Sequence, residues 1–85
     1  MKKLLCTVRD PLGLHARPAT LLMKKCQSYQ SQIQIDYNGK NADAKRMMSI
    51  LALSIKPKSE IEITINGSDE DDAYDSIKEF AEENI

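Results

Sequence analysis

Alternation is the feature that most narrows what this chain can fold into. Ile33, Ile35 and Tyr37 alternate with Gln32, Gln34 and Asp36, and Ile61, Ile63 and Ile65 alternate with Glu62 and Thr64. Leu4, Cys6 and Val8 repeat at the same interval near the start. A period of two sends successive side chains to opposite faces, so each stretch reads as a strand with one buried and one wet face. Strands of that kind form an antiparallel sheet covered on one side. Asn38-Gly39 follows the second stretch directly, and that dipeptide favours the two-residue turn that starts a hairpin. The returning strand, 40–44, is polar and suits a sheet edge.

The cover for that sheet is read from spacings of three and four. Within 16–28, Ala19, Leu22, Met23 and Cys26 fall on one stripe; within 70–83, Ala73, Ile77, Phe80 and Ala81 do the same, with Ser68 or Asp69 as N-cap. A shorter segment, 47–53, is apolar nearly all round and is closed off by Lys56-Pro57. The order β-α-β-β-α-β-α, with helices on one face of an antiparallel sheet, is an α+β open-faced β-sandwich. No linker, repeat or low-complexity stretch interrupts the 85 residues, so a single domain over 1–85 is expected.

Composition excludes several classes. A hydrophobic share of 41% supports a core, and a net charge of -1 argues against disorder and against a generic nucleic-acid binder. An RNA-binding α+β domain needs stacking aromatics on its strands, where this chain has isoleucines and glutamates. No apolar run has the length of a membrane span, and Met1-Lys2-Lys3-Leu4-Leu5-Cys6 lacks the apolar segment and cleavage site of a signal peptide. A soluble cytoplasmic protein without direct membrane binding is expected. Cys6 and Cys26 fall on inward faces and read as inert thiols; with one histidine they make no metal ligand set, and no metal or cofactor is expected. The charge is uneven: residues 1–68 carry eleven basic and five acidic side chains, residues 69–85 one and eight. An acidic helix on a basic body could orient a charged partner.

The chemistry concentrates between the first strand and the first helix, in Asp10-Pro11-Leu12-Gly13-Leu14-His15-Ala16-Arg17-Pro18-Ala19-Thr20. Pro18 fits only the first turn of a helix, which places His15 at or beside the N-cap and Ala16 and Arg17 in that turn. Free N–H groups and the positive dipole end make a helix start a site for an anion such as phosphate. The same field disfavours imidazolium, leaving a ring lone pair available near neutral pH. His15 is thus the expected nucleophile for a phosphoryl group, Arg17 the fork-shaped cation on its oxygens, and the amides of Ala16 and Arg17 additional donors. Gly13 lets the loop turn.

Gly13-Leu14-His15-Ala16-Arg17-Pro18-Ala19-Thr20 resembles the active-site signature of the HPr family, the histidine-containing phosphocarriers of the bacterial phosphoenolpyruvate-dependent sugar phosphotransferase system. The resemblance extends to the Tyr37-Asn38-Gly39-Lys40 hairpin, the 60–65 strand and the acidic last helix. It implies four antiparallel strands with three helices on one face. It also implies a relay: enzyme I phosphorylates Nδ1 of His15, which passes the group to an enzyme IIA, so the protein is a stoichiometric carrier rather than a turnover enzyme by itself. A carrier must present one face to successive partners, so a monomer is expected, and the family implies a docking face around the histidine. Leu12, Thr20, Leu21, Lys24, Met47, Met48 and Leu51 fall on that face, and Leu21, Met47 and Met48 are expected exposed.

Three positions depart from the family pattern. Arg46 stands where Gram-positive members carry a regulatory serine, so phosphorylation by HPr kinase is expected to be lost; Ser49 reads as an ordinary surface residue. Ser54 and Lys58 replace family glycines, which implies a moved or strained loop if either needs a positive φ. Arg46 also adds to Arg17, Lys24, Lys45, and to Lys40 or Arg9, as a basic surface complementary to acidic partners. The alternative is an HPr-like module that binds regulatory proteins, such as a transcription factor or enzyme, instead of serving sugar uptake. The HPr-like catabolite-repression protein has that role without the histidine and with the serine. Here His15 and Arg46 form the reverse combination.

Overall fold

The computed structural model describes all 85 residues. Its elements are β1 (Lys2–Thr7), α1 (Ala16–Gln27), β2 (Gln32–Tyr37), β3 (Lys40–Asp43), α2 (Met47–Ala52), β4 (Glu60–Asn66) and α3 (Glu70–Asn84). The four strands form one antiparallel sheet in the order β1-β4-β2-β3, with Ile63 opposite both Leu4 and Ile35. The alternation therefore works as read: Ile33, Ile35, Ile61, Ile63 and Ile65 are buried under the helices, while Gln32, Gln34 and Glu60 face water. Tyr37 is only half-buried, because it lies at the hairpin end where helix cover runs out. The polar strand β3 sits at an edge, and Asn38 and Gly39 both take positive φ (51° and 78°), as the tight hairpin turn requires.

Ala19, Leu22 and Cys26 of α1 and Ala73, Ile77 and Ala81 of α3 close the core against the central isoleucines. Their mix of small and large side chains lets two helices lie close on a twisted sheet. Ile50 and Leu53 are buried as well. No helix is long and apolar enough to cross a membrane.

Burial pushes the Cys26 thiol up to about 12 and Cys6 up to about 11, which leaves both as poor nucleophiles. Cys6 is nonetheless only half-buried, not fully enclosed: β1 is the sheet's other edge, and a groove lined by Cys6, Arg9 and Lys78 opens there beside α3.

Asp69 occupies the N-cap of α3, but its carboxylate makes no capping bond. It accepts instead from the Ser31 hydroxyl and from the backbone N–H groups of Gln30 (2.8 Å) and Ser31 (2.9 Å). Those donors sit on the turn before β2, so the carboxylate ties that turn to the start of α3. The Ser31 hydroxyl first, then the two amides, hold its carboxyl below the ordinary aspartate value. A lowered carboxyl contributes stability above the unfolded value of 3.8, and that contribution is lost as pH falls through the native value. Asp69→Ala is expected to lower the urea midpoint at pH 7, and the gap from wild type should narrow below pH 3.8 in paired melts.

The loop after α2 keeps the left-handed turns expected of glycines. Ser54 has φ 52° and Lys58 φ 66°. Both side chains point to solvent, so the cost is backbone strain rather than a clash with the core. Ser54→Gly and Lys58→Gly should each stabilise the fold by about 0.5–1 kcal/mol, the relief being partly offset by glycine's greater unfolded-state freedom. Denaturant unfolding checks this.

Candidate functional site

The site begins with a pinned loop. The main-chain oxygen of Ile85 accepts from the amides of Arg9 (2.7 Å) and Asp10 (3.2 Å), and the Arg9 guanidinium donates to the Glu82 carbonyl. The Asp10 carbonyl then accepts from Gly13 (2.9 Å), while its Oδ1 accepts from the Leu12 amide (2.9 Å), closing a tight turn around Pro11. Gly13 has φ +73°, and a Cβ there would lie 2.3 Å from the Ile55 carbonyl oxygen. That same oxygen accepts the Leu14 amide at 3.1 Å, and Leu14 is buried. Only after this anchor does the chain turn into α1.

His15 is the N-cap of α1, in extended conformation (φ -87°, ψ -174°), with no side-chain cap of its own. Its carbonyl accepts the Ala19 amide at 3.0 Å. The amides of Ala16 and Arg17 donate to no group of the chain, and Pro18, buried in the first turn, has no N–H to leave unsatisfied. Two free donors thus face out of the helix start beside the ring. Arg17 is exposed and makes no ion pair, and it lines the same open depression of about 420 Å³ as His15, Pro18 and Leu21. A half-exposed imidazole, two unpaired amides and a free guanidinium can together hold a tetrahedral dianion.

One residue of this arrangement carries no role in the sequence reading. Asp10 Oδ2 lies 3.2 Å from His15 Nε2, the only hydrogen bond the ring makes. The Leu12 amide and then the His15 ring hold the Asp10 carboxyl below its ordinary value. The available signal was a turn-forming Asp-Pro pair five residues before the histidine, which gave no indication that the carboxylate folds back onto the ring.

Leu12, Leu21 and Met48 are the exposed large hydrophobics near this end, at 72%, 44% and 78%. Met47 departs from the expected exposure: it is half-buried against the core, with its Sδ 3.5 Å from Thr20 Oγ1. It opens α2 facing α1, so the helix contact covers it. Leu51 is likewise half-buried, and Thr20 donates to the Ala16 carbonyl at 2.7 Å.

Of the expected basic surface, Lys45 and Arg9 are held by backbone carbonyls, Lys45 Nζ donating to Tyr29 at 2.7 Å and Arg9 to the end of α3; these acceptors are neutral, so both charges remain. Lys40 is exposed. Arg17 and Lys24 remain exposed, with Arg46, whose Nε lies 3.8 Å from Asp43 Oδ2. Arg46 is the N-cap residue of α2 and makes no side-chain cap.

Fold and site define a class: a small open-faced α+β sandwich that presents an imidazole at a helix start on its surface, not in a closed pocket. The family model described as "PTS HPr component phosphorylation site" matches residues 3–83. The phosphocarrier protein HPr of Mycoplasma capricolum subsp. capricolum is 39% identical over 79 residues, covering 93% of this chain and 89% of that one. A solved histidine-containing phosphocarrier protein of Mycoplasma superposes with a TM-score of 0.90 at 38% identity, over 93% of this chain and 90% of that one. HPr-C-His from Thermoanaerobacter tengcongensis superposes at 0.93 with 28% identity, over 99% and 94%. The chain belongs to the HPr family, the phosphocarriers of the phosphotransferase system, which act with enzyme I and enzyme IIA.

The pinning of the loop gives a direct test. Gly13→Ala must strain the positive φ and push the Ile55 carbonyl away, so a stability loss of roughly 1–3 kcal/mol is expected. Amide spectra should show the disturbance at Leu14, His15 and Ile55.

Proposed function

We propose that Nδ1 of His15 accepts a phosphoryl group from phospho-enzyme I and delivers it to an enzyme IIA. The observation that carries this reading is the placement of the ring: at the N-cap of α1, half-exposed, beside the free amides of Ala16 and Arg17, with no protein partner on Nδ1. The Nδ1 lone pair attacks phosphorus in line while the bond from phosphorus to the donor breaks, its electron pair leaving with the donor. The Arg17 guanidinium and the two amides hold the equatorial oxygens as charge spreads over them. Transfer onward reverses these steps on a new nucleophile. The protein ends each cycle unchanged, a stoichiometric carrier working in the cytoplasm as a monomer.

Open access to the ring suits a carrier that must meet two partners in turn. Leu12, Leu21 and Met48 form the bare apolar rim of the docking face, with Met47, Leu51 and Thr20 supporting it from the α1–α2 contact. Arg17, Lys24 and Arg46 supply positive charge that speeds encounter with acidic surfaces. With Arg46 at the head of α2, the serine switch of Gram-positive relatives is absent.

Incubation with enzyme I, magnesium and phosphoenolpyruvate should add one acid-labile phosphoryl group by intact mass. His15→Ala should add none while remaining folded; retained labelling would contradict the assignment. Arg17→Ala should slow transfer by about 10²–10³-fold, the loss typical of a removed transition-state donor. HPr kinase with ATP should leave the protein unmodified, and acid-stable phosphoserine would contradict the argument from Arg46.

A further inference from the structure

We propose that Asp10 is a positioning residue for the phosphoryl acceptor: its carboxylate holds the Nε2–H tautomer of His15, so that Nδ1 carries the lone pair. The inference rests on the reading of His15 as the phosphorylated residue and adds what makes one of its two nitrogens the nucleophile. An ionised carboxylate only accepts hydrogen bonds. At 3.2 Å from Oδ2, Nε2 must therefore be the protonated ring nitrogen, and in neutral imidazole the other nitrogen then has none.

Asp10 is built to hold this pose. Its amide donates to the main-chain oxygen of Ile85, its carbonyl accepts from Gly13, and its Oδ1 accepts from the Leu12 amide, which leaves Oδ2 for the ring. Pro11 follows and restricts the turn. The ring has no other hydrogen bond, so no second partner competes for the choice of tautomer. Arg17 and Glu83 line the same depression, and neither bonds to the imidazole.

The same carboxylate serves the transfer step. When Nδ1 forms its bond to phosphorus, the donor leaves with the electron pair of the broken bond and the proton on Nε2 stays where it is. The ring becomes a phosphorylated imidazolium, with its positive charge beside the Asp10 carboxylate. No proton has to leave in the forward step or return in the onward one. This is the division of labour seen where a buried aspartate orients a catalytic histidine without taking its proton.

Nitrogen-15 spectra of the neutral His15 ring test the proposal directly, in wild type, Asp10→Asn and Asp10→Ser. The serine variant keeps an acceptor for the Leu12 amide but has no second oxygen for the ring, so it separates turn shape from tautomer control. Wild type should show Nε2 protonated and Nδ1 unprotonated, and both variants should move population to the Nδ1–H form. Initial rates of phosphoryl acceptance from phospho-enzyme I should fall at least about tenfold in both, in line with the loss of groups that orient a reacting imidazole. The KM for phospho-enzyme I should change little, because the docking rim is untouched.

Unchanged tautomers in both variants would overturn the proposal, as would shifted tautomers with unchanged rates. Wild-type protein that takes up no phosphoryl group at all would instead contradict the carrier reading, and with it the use of Nδ1. The ring spectra, recorded without any donor, distinguish that failure from a failure of Asp10 to orient the ring.

Discussion

The Ile55 carbonyl is the fixed point on which the site is built. It accepts the Leu14 amide at 3.1 Å and lies where a Cβ on Gly13 would have to be. A backbone approach that close is open only to glycine, and it sinks Leu14 into the core immediately before His15. With Leu14 buried and Pro18 in the first turn, His15 has one place to go, the N-cap, with its ring at the surface. Histidine is then held by main-chain geometry on one side and by the Asp10 carboxylate on the other, not by enclosure. Open presentation and fixed orientation are the two demands on a group that must be handed between partners.

The platform that supplies the Ile55 carbonyl carries a cost. Ser54 on one side and Lys58 further along hold positive φ, while the Lys58 amide donates to the Val8 carbonyl at 2.7 Å and Val8 donates back to Ser59 at 2.8 Å. These bonds tie the loop after α2 to the end of β1, the strand that leads into the site. Hydrogen bonds on both flanks hold Ser54 and Lys58 in a conformation that side chains other than glycine's take reluctantly. The loop has kept its path and absorbed the strain, because moving it would release both the end of β1 and the seat of Gly13.

Most of the fold was legible because it rests on period. The isoleucine alternation in β2 and β4 set which face is buried, and the apolar stripe of Ala19, Leu22 and Cys26 set how α1 lies on it. Pro18 put His15 at or beside the N-cap by steric argument, and the structure makes it the N-cap residue itself. Contacts between residues distant in sequence were not legible. Nothing in period or propensity directs Asp69 away from its own helix to the Ser31 turn, or draws Lys45 to the Tyr29 carbonyl, or covers Met47 with α1. Asp10 belongs with these. Its turn-forming role is local, but its meeting with the ring depends on how tightly the loop closes over Gly13.

Charge and hydrophobicity around the ring follow one design. Apolar side chains that the short α2 and the loop cannot bury, Met48 and Leu12, stay at the rim, beside the unpaired cations Arg17 and Lys24, while Arg46 faces the Asp43 carboxylate. In the proposed relay, phosphorus bonds to Nδ1 of His15. Nitrogen-15 and phosphorus-31 spectra of the enzyme I-phosphorylated protein test it most directly. One phosphorus coupled to Nδ1 of His15 is expected, with Nε2 still bearing its proton. Phosphorus coupled to Nε2, or bound at any residue other than His15, would contradict it.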